Sequence, residues 1–160
     1  MNNHTATAVK SALDNWNLQL SRLNQLLDGL SDDQLLKEVA PGRNRGVYLL
    51  GHLASVHDRM LPLLHMGSSL YPELESIYIQ NPDNKKNDFT PAQLREAWKK
   101  VNEQLNTQFA KMDVADWFHR HDAISEEDFK NEPHRNKLNV LMNRTGHLAY
   151  HYGQMIFLKK

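Results

Sequence analysis

Leu13-Asp14-Asn15-Trp16-Asn17-Leu18-Gln19-Leu20-Ser21-Arg22-Leu23-Asn24-Gln25-Leu26-Leu27-Asp28-Gly29-Leu30 is the stretch that decides the fold. Leu13, Trp16, Leu20, Leu23, Leu27 and Leu30 recur at steps of three and four, the period of an α-helix with one buried face. The pattern predicts a first helix over 7–29. Ser31 followed by Gln34 has the form of a capping box opening a further short turn, and Ala40-Pro41-Gly42 then breaks the chain.

Three more segments repeat this grammar. A second helix is expected over 45–66, with Asn44 as its cap and Gly67 as its stop; Leu49, Leu50, Leu53, Val56, Met60 and Leu64 supply its apolar stripe, and Pro62 kinks it or ends it early. Ser68 to Phe89 reads as a connection with a short helical turn near Pro72–Tyr78. Thr90-Pro91-Ala92-Gln93 is a strong helix start, and Leu94, Trp98, Val101, Leu105, Phe109 and Met112 mark a third helix over 90–112. Asp113–Asn136 reads as polar and irregular, with Trp117 and Phe118 tucked beneath it. A fourth helix is expected over 137–158, its apolar side formed by Leu138, Leu141, Met142, Thr145, Leu148, Tyr152 and Met155. Four helices of similar length and no period-2 stretch point to an all-α four-helix bundle over a single domain, 1–160. The two connections of roughly 24 residues are long enough to cross the bundle, so the third helix can run parallel to the second.

Composition narrows the chemistry. Nineteen Lys+Arg offset nineteen Asp+Glu, which removes the electrostatic case for nucleic acid or an anionic membrane. No stretch is long and apolar enough for a spanning helix, and no secretion signal is visible, so a cytoplasmic location is expected. The chain has no cysteine, which excludes disulfides, thiolate ligands and a cysteine nucleophile. It has nine histidines, the strongest ligands left for a transition metal.

His147 and His151 stand four apart, on one face of the fourth helix. Such a pair can bite one ion or simply form a polar face. A third ligand must come from elsewhere, and the second helix offers His52 and His57. Five residues turn a helix by about 140°, so those two cannot face one site. His52 shares a face with Tyr48, Val56, Arg59 and Leu63, whereas His57 beside Asp58 looks solvent-directed. Leu148 stands where a zincin has its glutamate, no Glu-x-x-His occurs, and there is no phosphate loop or nucleophile elbow.

Gly51-His52-Leu53-Ala54, with His147-Leu148-Ala149-Tyr150-His151-Tyr152-Gly153-Gln154 and the upstream Ala40-Pro41-Gly42, resembles the DinB/YfiT-like metalloenzyme superfamily. The resemblance implies an up-down-down-up bundle, a homodimer, and a divalent metal held by His52, His147 and His151. His57 departs from the pattern, since relatives often carry an acid there. Characterised relatives include thiol-dependent transferases and isomerases. The resemblance therefore implies a small-molecule substrate with a low-molecular-weight thiol cosubstrate, in an S-transferase or a metal-assisted hydrolase. The other class is a non-catalytic, stress-associated metal-binding bundle. Zinc or nickel heads the metals that imidazole suits.

Helix angles nominate the neighbours. Gln154 follows His151 by three residues and can bond a ligand, and Arg59 lies two turns beyond His52 and can hold an anion or join a surface ion pair. Core packing is expected of Tyr48, Tyr150, Trp16 and Trp98, close helix approach at Gly153, and a solvated loop for His119, His121 and His134.

Overall fold

In a computed structural model, which describes residues 3–159, the leucine pattern becomes α1 (Asn3–Asp28). Trp16, Leu20, Leu23, Leu27 and Leu30 are buried, and Leu13 packs half-buried against them. Both halves of the expected capping box form: Ser31 Oγ accepts from Gln34 N at 3.2 Å, and Gln34 Oε1 accepts from Ser31 N at 2.9 Å. That opens α2 (Asp32–Leu35). Gln34 Nε2 also donates to the Leu158 carbonyl, tying this turn to the far end of the chain. Residues 1, 2 and 160, the ends of the expected unit, lie outside the described residues.

The second long helix is shorter than 45–66. It is α3 (Gly46–Asp58); the chain turns at Arg59 and resumes as α4 (Met60–Leu63). Pro62 explains the break, because it has no N–H to give and its ring crowds the carbonyl four residues back, at Asp58. The buried Asp58 carboxylate then accepts from Leu70 N (2.7 Å) and Tyr71 N (2.8 Å) and folds the chain back. Asn44 is not the cap. Arg45 holds that position without a side-chain cap bond. Its buried guanidinium instead reaches Asp83 at 2.8 Å, Asn87 at 2.7 Å and the Lys86 carbonyl at 2.8 Å, pinning the long connection to the start of α3. The left-handed residue just after α4 is His65 (φ 61°), and Gly67 (φ 115°) lies further along the turn.

The short turn expected near Pro72–Tyr78 is α5 (Glu73–Tyr78). α6 (Pro91–Phe109) starts at the Thr90–Gln93 capping box and buries Leu94, Trp98, Val101, Leu105 and Phe109. Residues 113–136 are more ordered than expected. They hold a 3-10 turn (Val114–Phe118) and α7 (Glu126–Asn131), whose cap Ser125 accepts from Asp128 N at 3.1 Å. α7 buries no residue, so it leaves no apolar period to read. Trp117 is buried as expected, but Phe118 is exposed. α8 (Lys137–Met155) is capped by Asn136 and runs into a last 3-10 turn (Ile156–Lys159). Met142, placed on its apolar side by the sequence, is exposed.

The protein is all-α, with α1, α3, α6 and α8 as its four major helices. α3 packs on α6, α5 and α8, and α1 packs on α8. Arg95 donates to the carbonyls of Leu27 and Leu30, both at 2.7 Å, joining the start of α6 to the end of α1. Among the described residues, no helix is long and apolar enough to cross a membrane.

Candidate metal centre

His147 and His151 leave α8 one turn apart and meet His52 from α3. His147 Nε2 lies 3.1 Å from His52 Nε2 and 3.0 Å from His151 Nε2. One ligand atom of each residue lies within 4.8 Å of the other two. All three side chains are half-buried, so solvent reaches the cluster.

The rings' partners fix where the protons sit. His52 Nδ1 donates to the Tyr78 carbonyl at 2.8 Å, and His151 Nδ1 donates to Gln154 Oε1 at 2.7 Å. The glutamine is oriented for this, since its Nε2 donates to the Tyr150 hydroxyl at 3.2 Å. A neutral imidazole with its proton on Nδ1 presents a bare lone pair at Nε2. Two such lone pairs therefore converge on His147 Nε2. A proton there can satisfy one of them, not both. His147 Nδ1 is itself buried without a partner. A cation held by His52, His147 and His151 would give all three Nε2 lone pairs a partner. Zinc–nitrogen bonds of about 2.0–2.1 Å in a tetrahedral site place ligand nitrogens about 3.3 Å apart, a few tenths of an ångström wider than these contacts. The residues present thus fit a divalent ion of that size.

Electrostatics also favours the ligating form. Burial, helped by the charges of His151, His52 and Arg144, pushes the His147 pKa down to about 4. Burial and then His52 lower that of His151, against an opposing contribution from Gln154. Both shifts favour the neutral imidazole, the form that coordination requires.

The position of His52 depends on its neighbour. Gly51 faces Tyr78 so closely that a Cβ there would lie 2.6 Å from the ring. This lets α5 seat Tyr78 against α3 and aim its carbonyl at His52. Tyr48 stacks beside His52 with ring centroids 6.4 Å apart, and its hydroxyl donates to the Asn81 carbonyl at 2.7 Å. A backbone carbonyl carries no sequence signature, so Tyr78 escaped the sequence reading. The glycine beside His52 was the available sign of a close approach.

Several expectations are corrected. His57 is fully buried, because α1 and α6 cover the side of α3 opposite His52; it lies between Trp16 (4.7 Å) and Trp98 (4.8 Å). Its Nδ1 donates to Asn102 Oδ1 at 2.8 Å. Tyr150 is exposed rather than packed in the core, since its place on α8 looks outward. A Cβ at Gly153 would meet nothing within 4 Å among the described residues, so no described helix approaches closely there. Of the two readings for Arg59, the ion pair is the one observed, with Glu75 at 3.4 Å. His119 and His134 are exposed and His121 half-buried, and none of the three joins the cluster. Arg144 escaped the sequence reading; its position three residues before His147 was the available signal.

A groove of about 770 Å³ between α1 and α6 includes none of the three histidines. Its charged lining, Asp28, Arg95, Glu96, Lys99 and Glu103, mixes both signs.

Among curated proteins, no sequence matches this chain. The family description of the DinB superfamily matches residues 16–155, which span all three converging histidines, the whole of α3, α6 and α8, and α1 from Trp16 onward. The chain belongs to the DinB superfamily.

Proposed function

We propose that His52, His147 and His151 hold one divalent transition metal, zinc or nickel foremost, in a metal-dependent enzyme that transfers a low-molecular-weight thiol or hydrolyses a small substrate. The observation that carries this reading is the convergence of three Nε2 atoms, two of them fixed as bare lone pairs by Tyr78 and Gln154. When bound, the ion supplies Lewis acidity, which lowers the pKa of a thiol or a water into the neutral range. The chain's residues do the remaining work. Tyr78 and Gln154 hold two rings in register, and burial keeps His147 unprotonated. Three neutral ligands leave the ion's charge uncancelled, which favours a thiolate or another anion. Because the chain has no cysteine, such a thiol arrives from outside.

We further propose an up-down-down-up bundle forming one domain, and a cytoplasmic homodimer in keeping with family likeness. Three contacts support the helix directions. Arg95 at the start of α6 binds the end of α1; His57 at the end of α3 meets Trp16 within α1; Gly46 at the start of α3 lies against Leu158 beyond α8. In this arrangement α3 and α6 share one direction and α1 and α8 the other.

Elemental analysis of the native protein beside the variant His52→Ala/His147→Ala/His151→Ala tests the centre. Near-stoichiometric metal is expected in the first and background in the second, and equal contents reject it. Addition of a simple thiol to an electrophile, with and without metal, tests the reaction. A metal-dependent rate is expected. Its absence in metal-replete protein rejects thiol transfer and leaves the hydrolase and the non-catalytic metal-binding bundle.

A further inference from the structure

Arg144 precedes His147 by three residues on α8, so Arg144, His147 and His151 form one stripe with the 3-4 spacing of a single helix face. The guanidinium is half-buried, and its Nε is buried without a hydrogen-bond partner. Among the described residues, no carboxylate pairs with it; the ion pairs involve other cations. The charged group that acts on it is of its own sign. Arg59 acts on Arg144, and Arg144 in turn acts on His147 and His57. A guanidinium taken partly out of water without a counter-charge is costly. Loading the three-histidine cluster with a divalent ion would add to the uncompensated positive charge. Arg59 is not an equivalent candidate, because it is more exposed and already faces Glu75.

We infer that Arg144 is the anion-recognising residue of the three-histidine centre, and that the centre's ligand carries a carboxylate beside the group it offers to the metal. The side edge of a guanidinium, Nε with one terminal nitrogen, matches the two oxygens of a carboxylate and pairs with both. The ligand supplies the missing negative charge, and its carboxylate gives the buried Nε–H its acceptor. This inference rests on the metal reading above.

The test uses two probes that share a thiol and differ in charge, 3-mercaptopropionate and 2-mercaptoethanol. Zinc-loaded protein is expected to bind the acid about tenfold more tightly than the alcohol by calorimetry, the scale of one charge-assisted hydrogen bond. Arg144→Gln should bring the ratio of the two affinities, both measured in that same zinc-loaded variant, to about one, and Arg144→Lys should restore part of it. No preference in the wild type, or the same preference in Arg144→Gln, overturns the inference. Protein that takes up no zinc rejects the metal reading instead. The arginine is then judged in metal-free protein from its Nε–H resonance. A saturable shift with acetate that is absent with acetamide supports an anion site, and no shift overturns it.

Discussion

His52 and His57 stand five residues apart on α3 and meet opposite surroundings. His52 is half-buried, with Nδ1 held by a carbonyl and Nε2 facing two other ring nitrogens. His57 is sealed between two indoles, with Nδ1 held by Asn102, whose own Nδ2 donates to the Trp98 carbonyl at 2.7 Å. Each ring has one nitrogen fixed by a hydrogen bond. What differs is the second nitrogen. In His52 it meets other lone pairs within reach of solvent, an arrangement that a cation completes. In His57 it is buried without a partner, among groups that pack. A histidine is marked as a candidate ligand by what its free nitrogen faces, not by burial or charge alone.

The largest expected effect separates the two regions by their response to zinc. Ligand binding to the folded state adds about 2.7 kcal/mol when free zinc is a hundredfold above its dissociation constant. Urea denaturation with and without zinc should show that gain in the wild type and none in His147→Ala. His57→Ala should keep the gain, but its metal-free form should lose about 3 kcal/mol, the scale of emptying a buried ring site. The comparison breaks if His57→Ala abolishes the zinc response and His147→Ala preserves it.

Protons give a second separation. Burial is the main cause that holds the His57 pKa down to about 3, against 6.5 in an unperturbed histidine. Between those values the unfolded chain binds a proton that the folded chain refuses. The contribution is complete above pH 6.5 and is lost as pH falls toward 3, at up to about 1.4 kcal/mol per pH unit. In metal-free protein, His57→Phe should flatten that part of the stability profile by up to one proton. An unchanged slope would mean that His57 is not held neutral by the fold.

Gln154→Ala sharpens the contrast within the cluster. It removes the acceptor that fixes His151 Nδ1–H, so zinc affinity measured by chelator competition should fall about 10–100-fold. Arg59→Gln should leave it unchanged, since that side chain is engaged by Glu75 on the surface.

The long helices were legible because their apolar periods are the faces they bury; Trp16, Leu23, Leu94 and Leu141 are all sealed. The shared face of His147 and His151 was legible in their spacing, and the separate faces of His52 and His57 in their helix angle; the choice of His52 as their partner came from the family resemblance. Interactions that join distant segments were not. The clamp of Asp58 on Leu70 and Tyr71, the tether of Arg45 to Asp83 and the carbonyl of Tyr78 leave no local pattern. His57 was misread because a polar pair, His57-Asp58, was taken for a wet face. Yet Leu49, Leu50, Leu53, Ala54 and Val56 form one apolar arc of α3, and at about 100° per residue His57 falls in the middle of it. That pattern was the signal for the burial of His57.

Two glycines test the same lesson at the smallest scale. The helix-approach role read into Gly153 belongs to Gly51. A Cβ at Gly153 would meet open space, so Gly153→Ala trades a poor helix former for the best one and should stabilise the protein by about 0.5–1 kcal/mol. At Gly51 the same methyl would lie 2.6 Å from the Tyr78 ring. The helix-propensity gain is then outweighed by overpacking of about 1–3 kcal/mol, and denaturation should show net destabilisation. The damage should also reach the histidines. To admit the methyl, the Tyr78 ring must retreat, and the carbonyl of that same residue fixes His52. Gly51→Ala should therefore lower zinc affinity as well as stability, while Gly153→Ala, only two residues from His151, should leave zinc affinity intact. If the two substitutions prove equal in both measurements, close packing of α5 on α3 is not what positions His52.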